Sequence, residues 1–179
     1  LSAGESLVEK AGTVAALFER GLARCAMIQH SGWHGISWDT HGGNSTQGDH
    51  FEDLFGDLGR IVSDLAARAG PAGGSLLDET TVVVLSEMAR FPLLNARGGK
   101  DHWTFTSAML VGSGIRGGQV VGAVDEDQMG RPIDLASGEP TASGTALSPG
   151  HLGATLMALG GVDPAEVGLA EEPIVALLS

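Results

Sequence analysis

A single cysteine, Cys25, serves the whole chain, which excludes any intrachain disulfide. It lies between a helical pattern and an apolar run and reads as a small core residue. No apolar run reaches the length of a membrane-spanning helix, so no span is expected. No charged-then-apolar leader is visible either. The chain starts at Leu1 and runs straight into a helical pattern, and is therefore expected to be a fragment or a processed product. Basic residues are scarce, with 10 Lys and Arg against 22 Asp and Glu and a formal net charge of −12. Such a field repels nucleic acid and anionic membrane surfaces. It also repels phosphate and sulfate esters unless a bound cation inverts the local potential. A hydrolase built on this chain therefore needs metal.

What the chain does hold is enough apolar material for a core, 42% of its residues, and 28 glycines, roughly twice the usual ~7% share. The glycines cluster between apolar runs, as tight turns do. Leu7, Val8, Ala11, Val14, Leu17, Phe18 and Leu22 recur at helical spacing, with Ser2 or Glu5 near the start. Cys25–Gln29 has strand character. A second helix carries the stripe Phe51, Leu54, Phe55, Leu58, Ile61, Val62 and Leu65, with Glu52, Asp53, Asp57, Arg60 and Asp64 on its surface, and ends at the Gly-Pro-rich residues 70–74. Thr80–Leu85 is a β-branched run without alternation, the pattern of a strand buried on both faces of a parallel sheet. Residues 107–111 and 119–122 read as two further strands, 125–147 as loop or hairpin, and 152–159 as a final helix with Ser148 as N-cap and Pro149 in its first turn. This order predicts an α/β domain, a mostly parallel sheet with helices on both faces. The 179 residues form either one domain or the C-terminal part of a larger one.

Three short segments concentrate polar residues where strands are expected to end: Trp38-Asp-Thr-His-Gly42, Ser86-Glu87 and Gly99-Lys-Asp-His-Trp103. Ligands bind at that end of open α/β sheets. Asp39, His41, Glu87, Asp101 and His102 together offer three carboxylates and two imidazoles without a thiol, a set suited to zinc or manganese. On a strand, Asp39 and His41 would share a face. Three of them also have a plainer reading: Asp39 as an N-cap or turn residue, Glu87 as a buried ion-pair partner of Arg90, His102 as a core histidine. His34 and His50 flank the Asp39 loop as candidates for supporting roles. His30 is a weaker candidate, and His151 reads as a surface position. Crowding so many acidic groups on an acidic protein is unfavourable without a cation. The five are therefore expected to converge in one cleft around a divalent metal.

The order Trp-Asp-Thr-His-Gly-Gly-Asn (38–44), amphipathic helix, Leu-Asp-Glu-Thr-Thr-Val-Val-Val-Leu-Ser-Glu (77–87), Gly-Gly-Lys-Asp-His-Trp (98–103) resembles the domain-of-unknown-function 1501 family. Residues 109–122 and 154–164 match its pattern as well. That family is commonly placed in the alkaline phosphatase and sulfatase superfamily. The resemblance implies an alkaline-phosphatase-like fold of which this chain is the C-terminal portion, with the nucleophile in an N-terminal half, supplied from outside this chain or replaced by a partner chain. It implies that Asp39 and His41, the strand-end Glu87, and Asp101 with His102 carry the metal, and that Arg90 or Arg97 holds an anionic ester substrate. It also favours a location outside the cytoplasm. Phe91 stands where the family has Thr, and Lys100 where Arg is usual. Two functions follow: a metal-dependent hydrolase of phosphate or sulfate esters, or a non-catalytic, metal-stabilised binding or structural module of an extracytoplasmic assembly.

Overall fold

The computed structural model describes residues 5–179, which divide into two compact units threaded through one another in sequence. The first gathers the described residues up to Thr80 together with Arg90–Trp103; the second gathers Thr81–Ala89 and Thr104–Ser179.

The first unit is built on two packed helices, α1 (Leu7–Glu19) and α2 (Gln47–Ala67). Helix α1 starts one residue past the expected Glu5, at Ser6, whose side chain and that of Glu9 cap each other's backbone N–H groups. The stripe on α2 is buried at its C-terminal end, at Leu58, Ile61 and Leu65, while Phe51 and Phe55 stay exposed and stack on each other at 6.2 Å. Each buried aliphatic contributes about 1.5–3 kcal/mol. The surface pair of Arg60 with Asp57, whose partner guanidinium is 74% exposed, contributes about 0–1. Burial, not ion pairing, therefore holds α2. Asp57 itself is buried rather than on the surface, because its carboxylate turns back onto Arg60. At the end of α2, Arg68 bridges Asp64 and Glu19 and ties the two helices. A 3-10 turn at Leu76–Glu79, capped by Ser75 and Asp78, buries Leu76 against them. Cys25 is exposed, not in the core, because residues 25–29 form no strand that would carry it inward.

In the second unit, β1 (Thr81–Leu85) pairs antiparallel with β4 (Ala108–Gly112), Val83 opposite Leu110. Two short strands, β2 (Ala89–Arg90) and β3 (His102–Trp103), whose residues Arg90, His102 and Trp103 belong to the first unit, form the only other sheet among the described residues. The described strands thus contain no parallel pairing, and β1 is half-buried with Leu85 exposed. A run of valines packs equally well beside a neighbour of either direction, so its composition does not carry the direction. Residues 119–122 are not a strand; Gly122 N–H bonds to the Gly138 carbonyl in an irregular segment held by isolated bridges. The core here is Ile133, Ile174 and Ala176, with Val121, Leu135, Leu147 and Leu177 against them. Helix α3 (Pro149–Leu159) has Ser148 as N-cap and Pro149 at its first position, as expected. His151 is buried in its first turn, against expectation, because its Nδ1 accepts the Ser148 N–H at 3.0 Å in place of a water. One turn on, the buried Thr155 hydroxyl donates to the His151 carbonyl and accepts the Ile174 N–H, fastening α3 to the core.

Candidate metal and anion site

Asp39 and His41 are brought together by a turn rather than by a strand. The Asp39 Oδ1 atom accepts the His41 backbone N–H at 3.0 Å and the ring Nδ1–H at 2.7 Å. An aspartate that bonds to the backbone two residues on closes a turn by itself, so the two side chains meet without a pleat to align them. The His41 backbone bond, then its ring bond, hold the Asp39 carboxyl down to about 2, and the charges of His41 and Arg90 add to this. Asp39 is therefore an anion throughout the neutral range. Its carboxylate accepts but cannot donate, so the proton of a neutral His41 sits on Nδ1 and its lone pair on Nε2.

Arg90, on β2, closes over this pair. Its Nη2 donates to Asp39 Oδ1 at 3.0 Å and its Nη1 to the Lys100 carbonyl at 3.2 Å. Nη1 also lies 2.9 Å from Nδ1 and 3.0 Å from Nε2 of His41. One N–H group cannot lie along two lone pairs of the same ring, so the cation sits against the imidazole face, the arrangement favoured between a guanidinium and a π system.

The loop between β2 and β3 supplies the rest. Asn95 donates from Nδ2 to the His41 carbonyl and to Asp101 Oδ1, and its Oδ1 accepts from the N–H groups of Arg97 and Gly99. Lys100 N–H bonds to the Thr40 carbonyl, and its Nζ reaches Gln47 Oε1 on α2. Gly99 is buried where the two loops touch; a Cβ there would run into the carbonyls of Thr40 and His41, so only glycine permits the approach. The His102 ring lies 4.4 Å from that of His41, centroid to centroid.

Four of the five expected ligands, Asp39, His41, Asp101 and His102, thus belong to one unit together with Arg90. Glu87 belongs to the other unit, exposed just past β1, with the Ser86 hydroxyl 3.4 Å from its Oε2. Arg97 and His34 are exposed, His34 edge-on to Trp33. His102 is exposed too, which removes its reading as a core histidine. His50 is fully buried beneath the loop, with Nδ1 2.7 Å from the Thr46 carbonyl and Nε2 2.9 Å from that of Ile36. Its ring packs on Trp38, whose Nε1–H donates to His30 Nδ1; the other nitrogen of His30 faces Asp53. Asn95 and Lys100 are site residues that sequence reasoning passed over; their place in a Gly-rich loop beside Asp101 was the available signal.

Among the described residues, no three His, Cys, Asp or Glu side chains stand close enough to hold one metal ion. In kind, Asp39, His41 and His102 match a divalent ion, one carboxylate and two imidazoles. The place beside Asp39 and His41 is taken by a cation, Arg90. The Thr40 hydroxyl between them is buried without a partner among the described residues, at a cost of about 1–3 kcal/mol that a bound group would offset.

The sequence profile of the family described as "Protein of unknown function (DUF1501)" matches residues 11–167, and the chain belongs to that family. No curated protein and no solved structure matches it. No helix among the described residues is long and apolar enough to cross a membrane.

Proposed function

We propose that this chain is the metal-binding portion of a hydrolase-like domain of the alkaline phosphatase and sulfatase type, acting on phosphate or sulfate esters. The observation that carries the reading is the contact of the ionised Asp39 with the His41 ring, with the His102 ring 4.4 Å from that of His41 and a guanidinium beside them. Asp39, His41 and His102 would hold a divalent ion, zinc or manganese, with Asp101 next to His102 in sequence and bonded to Asn95 of the same loop. Bound there, the ion would supply positive charge to polarise an ester oxygen. Its charge also answers the electrostatic objection that a chain of net charge −12 repels an anionic ester. The nucleophile of such a hydrolase is assigned to no residue here. The parallel sheet of such a fold is likewise part of the proposal.

The test is calorimetric titration of chelator-treated protein with zinc and with manganese. One ion per chain is expected. His41→Ala and His102→Ala should each weaken binding by at least about tenfold, since loss even of a group that merely supports a ligand costs 10–100-fold. Titrations that show no binding, or binding equal in all three proteins, overturn the reading. They would favour the alternative, a non-catalytic module whose Arg90–Asp39–His41 contact clamps two loops; the absence of three converged donors among the described residues speaks for that alternative.

A further inference from the structure

Trp38, the residue before Asp39, is anchored by a bond that depends on a single proton. Its indole Nε1–H donates to His30 Nδ1 at 2.8 Å, and His30 Nε2 lies 3.3 Å from Asp53 Oδ2 on α2. An indole nitrogen only donates, and a carboxylate only accepts. His30 therefore keeps its lone pair on Nδ1 and its proton on Nε2, and the ring is neutral in this arrangement.

A second proton has one place to go, Nδ1. There it meets the indole N–H, donor against donor, and the bond to Trp38 is lost. The His30 side chain is 13% exposed, so little water is at hand to take the place of that bond. The charged ring at the same time gains a stronger hold on Asp53, the charged group that faces it from α2. His50, the next titratable group on that helix, packs on the indole itself, 4.8 Å between ring centroids. Protonation thus moves His30 from one partner to the other. Trp38 passes the change on, because the chain runs from it straight into Asp39, whose carboxylate holds His41 and Arg90.

We propose that His30 is a proton-operated positioning residue. Neutral, it ties Trp38, and with it the start of the Asp39 turn, to α2. Protonated, it keeps Asp53 and lets the indole go. The tie is present at the alkaline side of histidine titration and is lost as pH falls. It works whether or not the site binds a metal.

The test is nitrogen NMR of the isotope-labelled protein from about pH 8 to about pH 5, the span in which histidines change charge. At the alkaline end, a coupling across the hydrogen bond should join Trp38 Nε1 to His30 Nδ1, and the His30 nitrogen shifts should show a proton on Nε2 alone. As the ring takes its second proton the coupling should vanish. The Trp38 Nε1–H should then exchange with solvent about two- to tenfold faster, the effect of losing one hydrogen bond. The reference for that rate is His30→Asn at the same pH, whose side-chain oxygen accepts from the indole and takes up no proton in this span. The indole resonance of His30→Asn should stay level with pH. In wild type, a coupling that persists once His30 is protonated, or a neutral ring with its proton on Nδ1, overturns this role; neither result needs a variant to fold. A ring still neutral at about pH 5 overturns it as well. So does an indole resonance that moves with pH in His30→Asn as it does in wild type, since another group is then the source.

Discussion

His50 shows how much of this site depends on a residue that touches no ligand candidate. Both of its ring nitrogens face carbonyl oxygens, those of Thr46 on the threshold of α2 and of Ile36 in the loop, and nothing of the ring is exposed. The Ile36 contact fixes the chain just ahead of Trp38 and Asp39. A leucine of similar volume would fill the space and donate to neither oxygen. His50→Leu is expected to destabilise the protein by about 1–3 kcal/mol, the range for a buried polar group left without its partner. Urea denaturation read by tryptophan fluorescence measures this, and Trp38 packed on the ring reports the same change locally. A midpoint within error of wild type would show that the loop holds itself.

At the level of elements, the local devices predict best. Helix α3 begins at Ser148, whose hydroxyl accepts the Gly150 N–H at 3.2 Å. Ser148→Ala should cost about 0.5–2 kcal/mol, read as a lowered urea midpoint, with Ser143→Ala on the surrounding loop as control. This cap was legible in the sequence because all of its parts lie within four residues. So was the stripe of α2, except that periodicity marks the apolar face without saying how far along the helix the cover extends; Phe51 and Phe55 lie beyond it. The nearness of Asp39 and His41 was legible too, but for a different cause, a side-chain turn in place of a pleat. Arg90 over Asp39 was not legible as a contact, since 51 residues separate them and only the folded loops bring them together. The antiparallel partner of β1 was hidden for the same reason: a strand's own residues say how deeply it is buried better than they say which neighbour it takes.

Across the whole molecule, the excess of acid is managed by hydrogen bonds as much as by ion pairs. Glu9 is held below the usual carboxylate range by the backbone N–H and hydroxyl of Ser6. Asp78 is held low by the hydroxyl and backbone of Ser75, and Asp134 by the backbone and hydroxyl of Ser137. In the unfolded chain these donors are gone and the carboxyls return to their ordinary values. The folded state thus binds protons more weakly, and stability rises with pH wherever the unfolded state holds more of them. The contribution is present above the ordinary carboxylate range and is lost as pH falls through the lowered values. Thermal melts from pH 7 downward should hold nearly level to about pH 5 and then decline. Replacing Ser6, Ser75 and Ser137 together by alanine removes the hydroxyl donors, keeps the backbone ones, and should lower the melting temperature at pH 7 and flatten that decline in part. A triple variant with the slope of wild type would assign the acid sensitivity to the backbone donors or to other carboxylates.

The way the two units are threaded has a consequence for how the protein is made. Residues 81–89 belong to the second unit, yet they are synthesised before Arg90–Trp103, which belong to the first. At about 5–20 residues per second, the ribosome needs roughly 3–10 seconds to travel the 51 residues from Asp39 to Arg90. Throughout that interval the aspartate–histidine turn has left the decoding centre while its guanidinium does not yet exist. For that interval a nascent chain therefore carries Asp39 and His41 without their internal cation.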